Sequence, residues 1–214
     1  MGPILVVNPN SNPDVTAGLD AALAPFRLGG GPAIECLTLA EGPFGIESDA
    51  DAEAVVAPLA RLVAARRDAA AVVIACYSDP GLDACRAETA APVIGIQTAG
   101  VLAAMARAER FGVIALSEVS IARHRRRLAA MGVLERLAAE RPLGASVAES
   151  GGDAVAGRLV ETGRALMADG AGSVVLGCAG MAAQRGRLEA ALGVPVIDPT
   201  QAAVAMALGA VLAG

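Results

Sequence analysis

Short runs of β-branched and aliphatic residues alternate with longer Ala- and Leu-rich stretches along the whole chain. The apolar runs at 4–7, 34–39, 71–75, 93–96, 111–116, 145–148, 173–176 and 194–197 read as strands, and stretches such as 14–24, 52–67, 101–107, 120–131, 153–168 and 200–213 read as helices. Strands apolar on both faces, each separated from the next by a helix, predict an α/β architecture with parallel sheet covered on both sides.

The pattern also repeats. Val72-Val73-Ile74-Ala75-Cys76 returns as Val174-Val175-Leu176-Gly177-Cys178, and Pro92-Val93-Ile94-Gly95 returns as Pro195-Val196-Ile197-Asp198, at offsets of 102 and 103. Ile4-Leu5-Val6-Val7-Asn8 is matched more loosely by Val113-Ile114-Ala115-Leu116-Ser117, at an offset of 109. A domain-sized period that occurs only twice is an internal duplication, not a solenoid. It predicts two similar lobes related by a pseudo-twofold axis. Ligands of open parallel sheets bind outside the carboxyl ends of the strands. Asn8, Cys76, Ser117 and Cys178 each follow a predicted strand, so two facing lobes would bring them to one cleft, with a cysteine on either side.

Composition narrows the chemistry. All 17 basic residues are arginine, which excludes a Schiff-base lysine and the lysine of a phosphate-binding P-loop. With 22 acidic residues the formal net charge is −5, so nothing draws the chain to nucleic acid. The basic cluster Arg123-His124-Arg125-Arg126-Arg127 reads as a solvated helix face, with His124 at the surface. No stretch has the uncharged length of a membrane span, and the N-terminus lacks the charged start of a signal peptide, so a cytoplasmic protein with reduced thiols is expected. Hydrophobic residues make up 55% of the chain and aromatic residues 2%, an apolar excess that suggests a homo-oligomer.

Four cysteines differ in setting. Cys36 lies inside a predicted strand and Cys85 inside a predicted helix, where a thiol serves as a small apolar side chain. Cys76 and Cys178 lie between a strand end and a helix start, where unpaired amides stabilise a thiolate and make it a usable base near neutral pH. One histidine and no Cys-x-x-Cys pair argue against a structural zinc site. Two facing thiols suit inversion of a carbon acid: one removes a proton from one face, the other returns a proton to the opposite face, and donors hold the enolate between them. Asn8, Asn10, Ser11, Ser78, Ser117, Ser120 and the amides of Ala179 and Gly180 are candidate donors. Neither a metal nor an organic cofactor is required.

Asn8-Pro9-Asn10-Ser11, Ala75-Cys76-Tyr77-Ser78-Asp79-Pro80-Gly81-Leu82, Pro92-Val93-Ile94-Gly95-Ile96 and Leu176-Gly177-Cys178-Ala179-Gly180-Met181 together resemble the aspartate/glutamate/hydantoin racemase superfamily, nearest to its hydantoin and allantoin racemases. The resemblance implies two α/β lobes with the active site between them, the first formed by residues 1–98 plus 200–214 and the second by 99–199. It implies Cys76 and Cys178 as a cofactor-independent acid/base pair, with Tyr77 among the substrate-facing residues. Asn8 and Ala179-Gly180 stand where amino-acid racemases of the superfamily carry charged groups, which favours a neutral cyclic substrate, a 5-substituted hydantoin or an allantoin-like compound. The alternatives are an aspartate/glutamate-type racemase, an enzyme of the arylmalonate decarboxylase or maleate isomerase type, and, in a different class, a non-catalytic two-lobed binding protein.

Overall fold

A computed structural model describes residues 1–213. The first lobe is a parallel sheet of β1 (Ile4–Asn8), β2 (Ile34–Thr38), β3 (Ala71–Ile74) and β4 (Val93–Gly95), in the order β2-β1-β3-β4. Helices α1 (Pro13–Ala22), α2 (Asp49–Ala54), α3 (Val56–Ala65) and α4 (Leu82–Glu88) connect its strands. After α5 (Ile96–Met105), β5 (Phe111–Ala115), β6 (Leu137–Pro142), β7 (Ser173–Gly177) and β8 (Val196–Ile197) form a second parallel sheet in the order β6-β5-β7-β8. Its connecting helices are α6 (Glu118–Ala130), α7 (Ala156–Ala168) and α8 (Arg185–Leu192), and α9 (Pro199–Ala213) ends the chain. The two sheets share one strand order, as a duplicated α/β unit requires.

Successive side chains of a strand point to opposite faces, and here both faces are buried. Ile4 and Val6 of β1 and Val73 of β3 join one apolar layer, while Leu5, Val7, Val72 and Ile74 join the other. The first layer continues through α5 and α9 into Val113 and Val175 of the second sheet, so one core spans both lobes. Helix α9 lies against β1, β3 and β4 and also against α5. At about 1.5–3 kcal/mol for each fully buried aliphatic side chain, this shared layer holds the two strand ends in fixed relation.

Four sequence expectations change. The strand expected at 145–148 is a loop, and the edge strand is Leu137–Pro142. That strand packs on the core through Leu137, Ala138 and Ala139 and becomes exposed at Arg141 and Pro142. The helix expected at 52–67 is two helices, divided at Val55 and started by a Ser48–Asp51 capping box. A further helix, α8, was absent from the pattern. Finally, Ile4 and Phe111 hold the same register against their neighbouring strands, two residues away from the sequence match. Asn10, rather than Asn8, is therefore the counterpart of Ser117. Among the described residues, no helix is long and apolar enough to cross a membrane.

Candidate active site

The carboxyl ends of β3, β5 and β7 meet at a cavity of about 450 Å³, including the space at its mouth. Ala75, Cys76 and Tyr77 enter it from the first lobe; Gly177, Cys178, Ala179 and Gly180 enter it from the second. Asn10 and Ser120 add polar side chains to the lining. The remaining candidates stand outside this wall. Asn8 is buried and engaged at both ends of its amide: Nδ2 donates to Asn10 Oδ1 (3.0 Å), Asn12 O (3.1 Å) and Thr16 Oγ1 (3.0 Å), and Oδ1 accepts from the Asn10 amide. It shapes the loop that presents Asn10. Ser11 pairs its amide with Pro43 O, and Ser117 supplies the carbonyl that accepts from Ser120 Oγ at 2.8 Å. Ser78 opens onto a neighbouring surface cleft, with its hydroxyl 3.6 Å from Cys76 Sγ.

The two thiols are held differently. The Cys76 turn carries Asp79 in the left-handed region at φ 50°, uncommon for a residue with a side chain. Its buried carboxylate reaches across to the start of α5, accepting from the Gln97 amide (2.8 Å), the Thr98 amide (3.0 Å) and the Thr98 hydroxyl (2.6 Å), with Arg127 Nε at 3.5 Å. Burial pushes the Asp79 carboxyl up, and these donors pull against it. Gly95 is required here, because a Cβ at that position would overlap the Asp79 carboxyl. Cys178 instead precedes a 3-10 turn at Ala179–Gln184 and lies 3.9 Å from Ser150 Oγ, whose hydroxyl donates to Val147 O.

Burial decides the protonation of both thiols. It pushes Cys76 up to about 12; the Ser78 hydroxyl and the Arg123 charge oppose it, while Cys178 and Asp79 add to it. Cys178 is raised by the same cause, opposed by the Gly180 amide and Ser150. The expectation that strand-end amides would favour thiolate near neutral pH is therefore corrected: desolvation outweighs them. Cys36 is also pushed up to about 12 and is half-buried, next to Asp20, rather than sealed in the core.

The arginine-rich helix is the main correction to the sequence reading. Arg125 and Arg126 are exposed, but Arg123 and His124 turn inward and line the cavity. Arg123 donates to Asp49 at 2.8 Å, and Arg126 donates to the other oxygen of the same carboxylate. His124 is 2% exposed, with Nδ1 2.5 Å from Glu140 Oε1. The helix carries charge all round, so its periodicity hid the inward face, and both carboxylates lie far away in sequence. Val15, Ile46, Leu116 and Val147 form the apolar part of the lining. Beyond Val15, Val147 and Gly180 a wider opening of about 820 Å³, open solvent included, is edged by the exposed Phe44. Among the described residues, no cluster of three or more His, Cys, Asp or Glu side chains could hold a metal ion.

The sequence profile of the Asp/Glu/Hydantoin racemase family matches residues 4–207. The chain is 34% identical to the hydantoin racemase of Paenarthrobacter aurescens over 218 residues, covering 99% of this chain and 92% of that protein. It is 36% identical to the hydantoin racemase of Rhizobium meliloti, covering 95% and 86%. The solved allantoin racemase from Klebsiella pneumoniae superposes with a TM-score of 0.92 at 32% identity, covering 100% of this chain and 89% of that one.

Proposed function

The chain belongs to the Asp/Glu/hydantoin racemase family, and on that premise we propose that it is a racemase inverting the acidic carbon of a 5-substituted hydantoin or an allantoin-like cyclic ureide. Cys76 and Cys178 are the acid/base pair. One sulfur, as thiolate, takes the C5 proton; the C–H electron pair moves into the adjacent carbonyl to give a planar enolate. The opposite S–H then delivers its proton to the other face and becomes the thiolate, so each turnover reverses the roles. One negative charge is conserved throughout, passing from sulfur to enolate to sulfur. Because burial raises both thiols, the reactive form holds a single thiolate, favoured on the Cys76 side by Arg123 and on the Cys178 side by the Gly180 amide.

The observation that carries this reading is the meeting of two strand-end thiols, one from each lobe, in one cavity. Arg123 already donates to Asp49, and His124 Nδ1 is tied to Glu140. Asn10, Ser120 and the amides of Ala179 and Gly180 face the ring and its enolate oxygen. Asn8, Ser11, Ser78 and Ser117 support those groups from behind. The wider opening beyond Gly180 accommodates the C5 substituent. A cofactor has no step to perform in this scheme.

Optical rotation of enantiopure 5-substituted hydantoins, allantoin and aspartate tests the proposal. Racemisation of a cyclic ureide and none of aspartate is expected. Replacing either cysteine by serine removes a general acid or base worth about 10²–10⁴ in rate. Undiminished racemisation by a Cys76→Ala/Cys178→Ala double variant would overturn it, and release of carbon dioxide from arylmalonates with hydantoins untouched would assign the fold to decarboxylation instead.

A further inference from the structure

The cavity contains one titratable group that the two-thiol scheme leaves unused. His124, the sole histidine of the chain, sits one helical turn after Ser120 on the inward face of α6, and both side chains line the cavity. Its ring is fixed from two sides and its backbone from a third. Nδ1 contacts Glu140 Oε1 at 2.5 Å, with both side chains sealed at 3% and 0% exposure; Tyr77 packs edge-on at 4.9 Å and 87°; and Gln97 Nε2 donates to the His124 carbonyl at 2.9 Å. Within the described residues, Nε2 makes no hydrogen bond. A solvent-facing histidine would have none of these constraints.

We propose that His124, oriented by Glu140, is the hydrogen-bond acceptor that receives a ring N–H of the cyclic ureide through Nε2. In this assignment Glu140 Oε1 accepts from Nδ1–H, and the Nε2 lone pair is left for the ligand. The cavity is rich in donors and poor in acceptors. Asn10 Oδ1 already accepts from Asn8 Nδ2 and the Asn12 amide. Ser120 Oγ donates to Ser117 O and keeps its lone pairs, the buried Tyr77 hydroxyl has no partner within the protein, and His124 Nε2 is the acceptor that shares the inward face of α6 with Ser120. A cyclic ureide brings N–H donors into this low-dielectric space, and a buried donor left without a partner forfeits its hydrogen bond to water. His124 thus selects rings that carry an N–H, and Glu140 is its positioning residue, not a proton-transfer group. The inference rests on the cyclic-ureide reading above.

A single histidine allows the test on the unmodified enzyme. ¹⁵N-labelled protein is titrated with 5,5-dimethylhydantoin, which has no C5 proton to exchange, while protection of the cysteines from iodoacetamide reports binding independently. The expected result is an unprotonated Nε2 resonance that shifts in step with cysteine protection, and loss of the Nδ1-protonated pattern in Glu140→Gln. Protection without movement of Nε2, or with Nε2 protonated, overturns the inference and leaves the racemase reading intact. Absence of both protection and hydantoin racemisation overturns that reading itself. In kinetics, His124→Phe raises KM roughly tenfold, the worth of about one hydrogen bond, more than it lowers kcat. His124→Gln, which retains an acceptor, recovers part of the loss. An unchanged KM in His124→Phe contradicts the assignment.

Discussion

The two halves of the molecule share strand order and thiol placement but anchor the thiols by different means. In the first half the Cys76 turn is fastened to another element: Asp79 caps the start of α5, eighteen residues onward, with three hydrogen bonds. In the second half the residue equivalent to Gly95 is Asp198, which caps its own helix by accepting from the Thr200 and Gln201 amides. The turn after Cys178 has no such carboxylate cap; it packs on α1 and α9, and Ser150 meets Cys178 from its own lobe. Duplication kept the backbone that presents each sulfur and allowed the support behind it to diverge. The Cys76 side is tied to α5 through a buried carboxylate, and the Cys178 side lies next to the wider opening.

This contrast can be broken at defined points. Removing the anchor by Asp79→Ala, or crowding it by Gly95→Ala, exposes orphaned α5 amides or drives a Cβ into a buried carboxyl; each costs about 3 kcal/mol in urea unfolding and lowers racemisation at least tenfold. Asp198→Ala removes only a helix cap and costs about 1 kcal/mol. Equal penalties at Asp79 and Asp198 would erase the asymmetry. Gly180→Ala places a Cβ against Ser150 Oγ. A serine hydroxyl can turn away, so this variant stays folded with a loss of about 1 kcal/mol, and its defect appears in kcat rather than in stability.

Much of this arrangement was legible in the sequence, for physical reasons that also mark where legibility stops. Doubly buried strands such as 4–7 and 71–75 are apolar throughout and announce themselves, and the repeat placed Cys76 and Cys178 at matching strand ends. Edge strand β6 did not, because Glu140 and Arg141 interrupt its apolar run. Missing that strand concealed Glu140 as the partner of His124, and the charge of α6 concealed that Arg123 and His124 face inward. Asn8 shows the opposite error: a polar residue at a strand end looks substrate-facing, yet its side chain is spent on the loop it supports and on Thr16 of α1. The role of Asp79 rests on a contact across eighteen residues, which local spacing does not encode.

The smallest expected effects come from the hydroxyls beside the thiols. Ser78 and Ser150 favour the thiolate form of Cys76 and Cys178, against the larger effect of burial. Ser78→Ala and Ser150→Ala therefore raise the thiols further, so that less thiolate is present at neutral pH and the rising limb of kcat/KM moves to higher pH. A two- to fivefold loss at pH 7 that is recovered at alkaline pH corresponds to a shift of about 0.3–0.7 pH units. Movement of the limb to lower pH would show that the hydroxyls stabilise the thiols instead.

The central claim is that the two sulfurs work on opposite faces of one carbon. It is tested most directly by following exchange of the C5 proton in deuterated water for each enantiomer of a slowly self-racemising 5-substituted hydantoin, with Cys76→Ser and Cys178→Ser separately. Each single variant is predicted to have lost racemisation while still exchanging the proton of one enantiomer only, with the two variants acting on opposite enantiomers. Exchange of the same enantiomer by both variants, or full racemisation by either, would contradict a two-sided thiol mechanism.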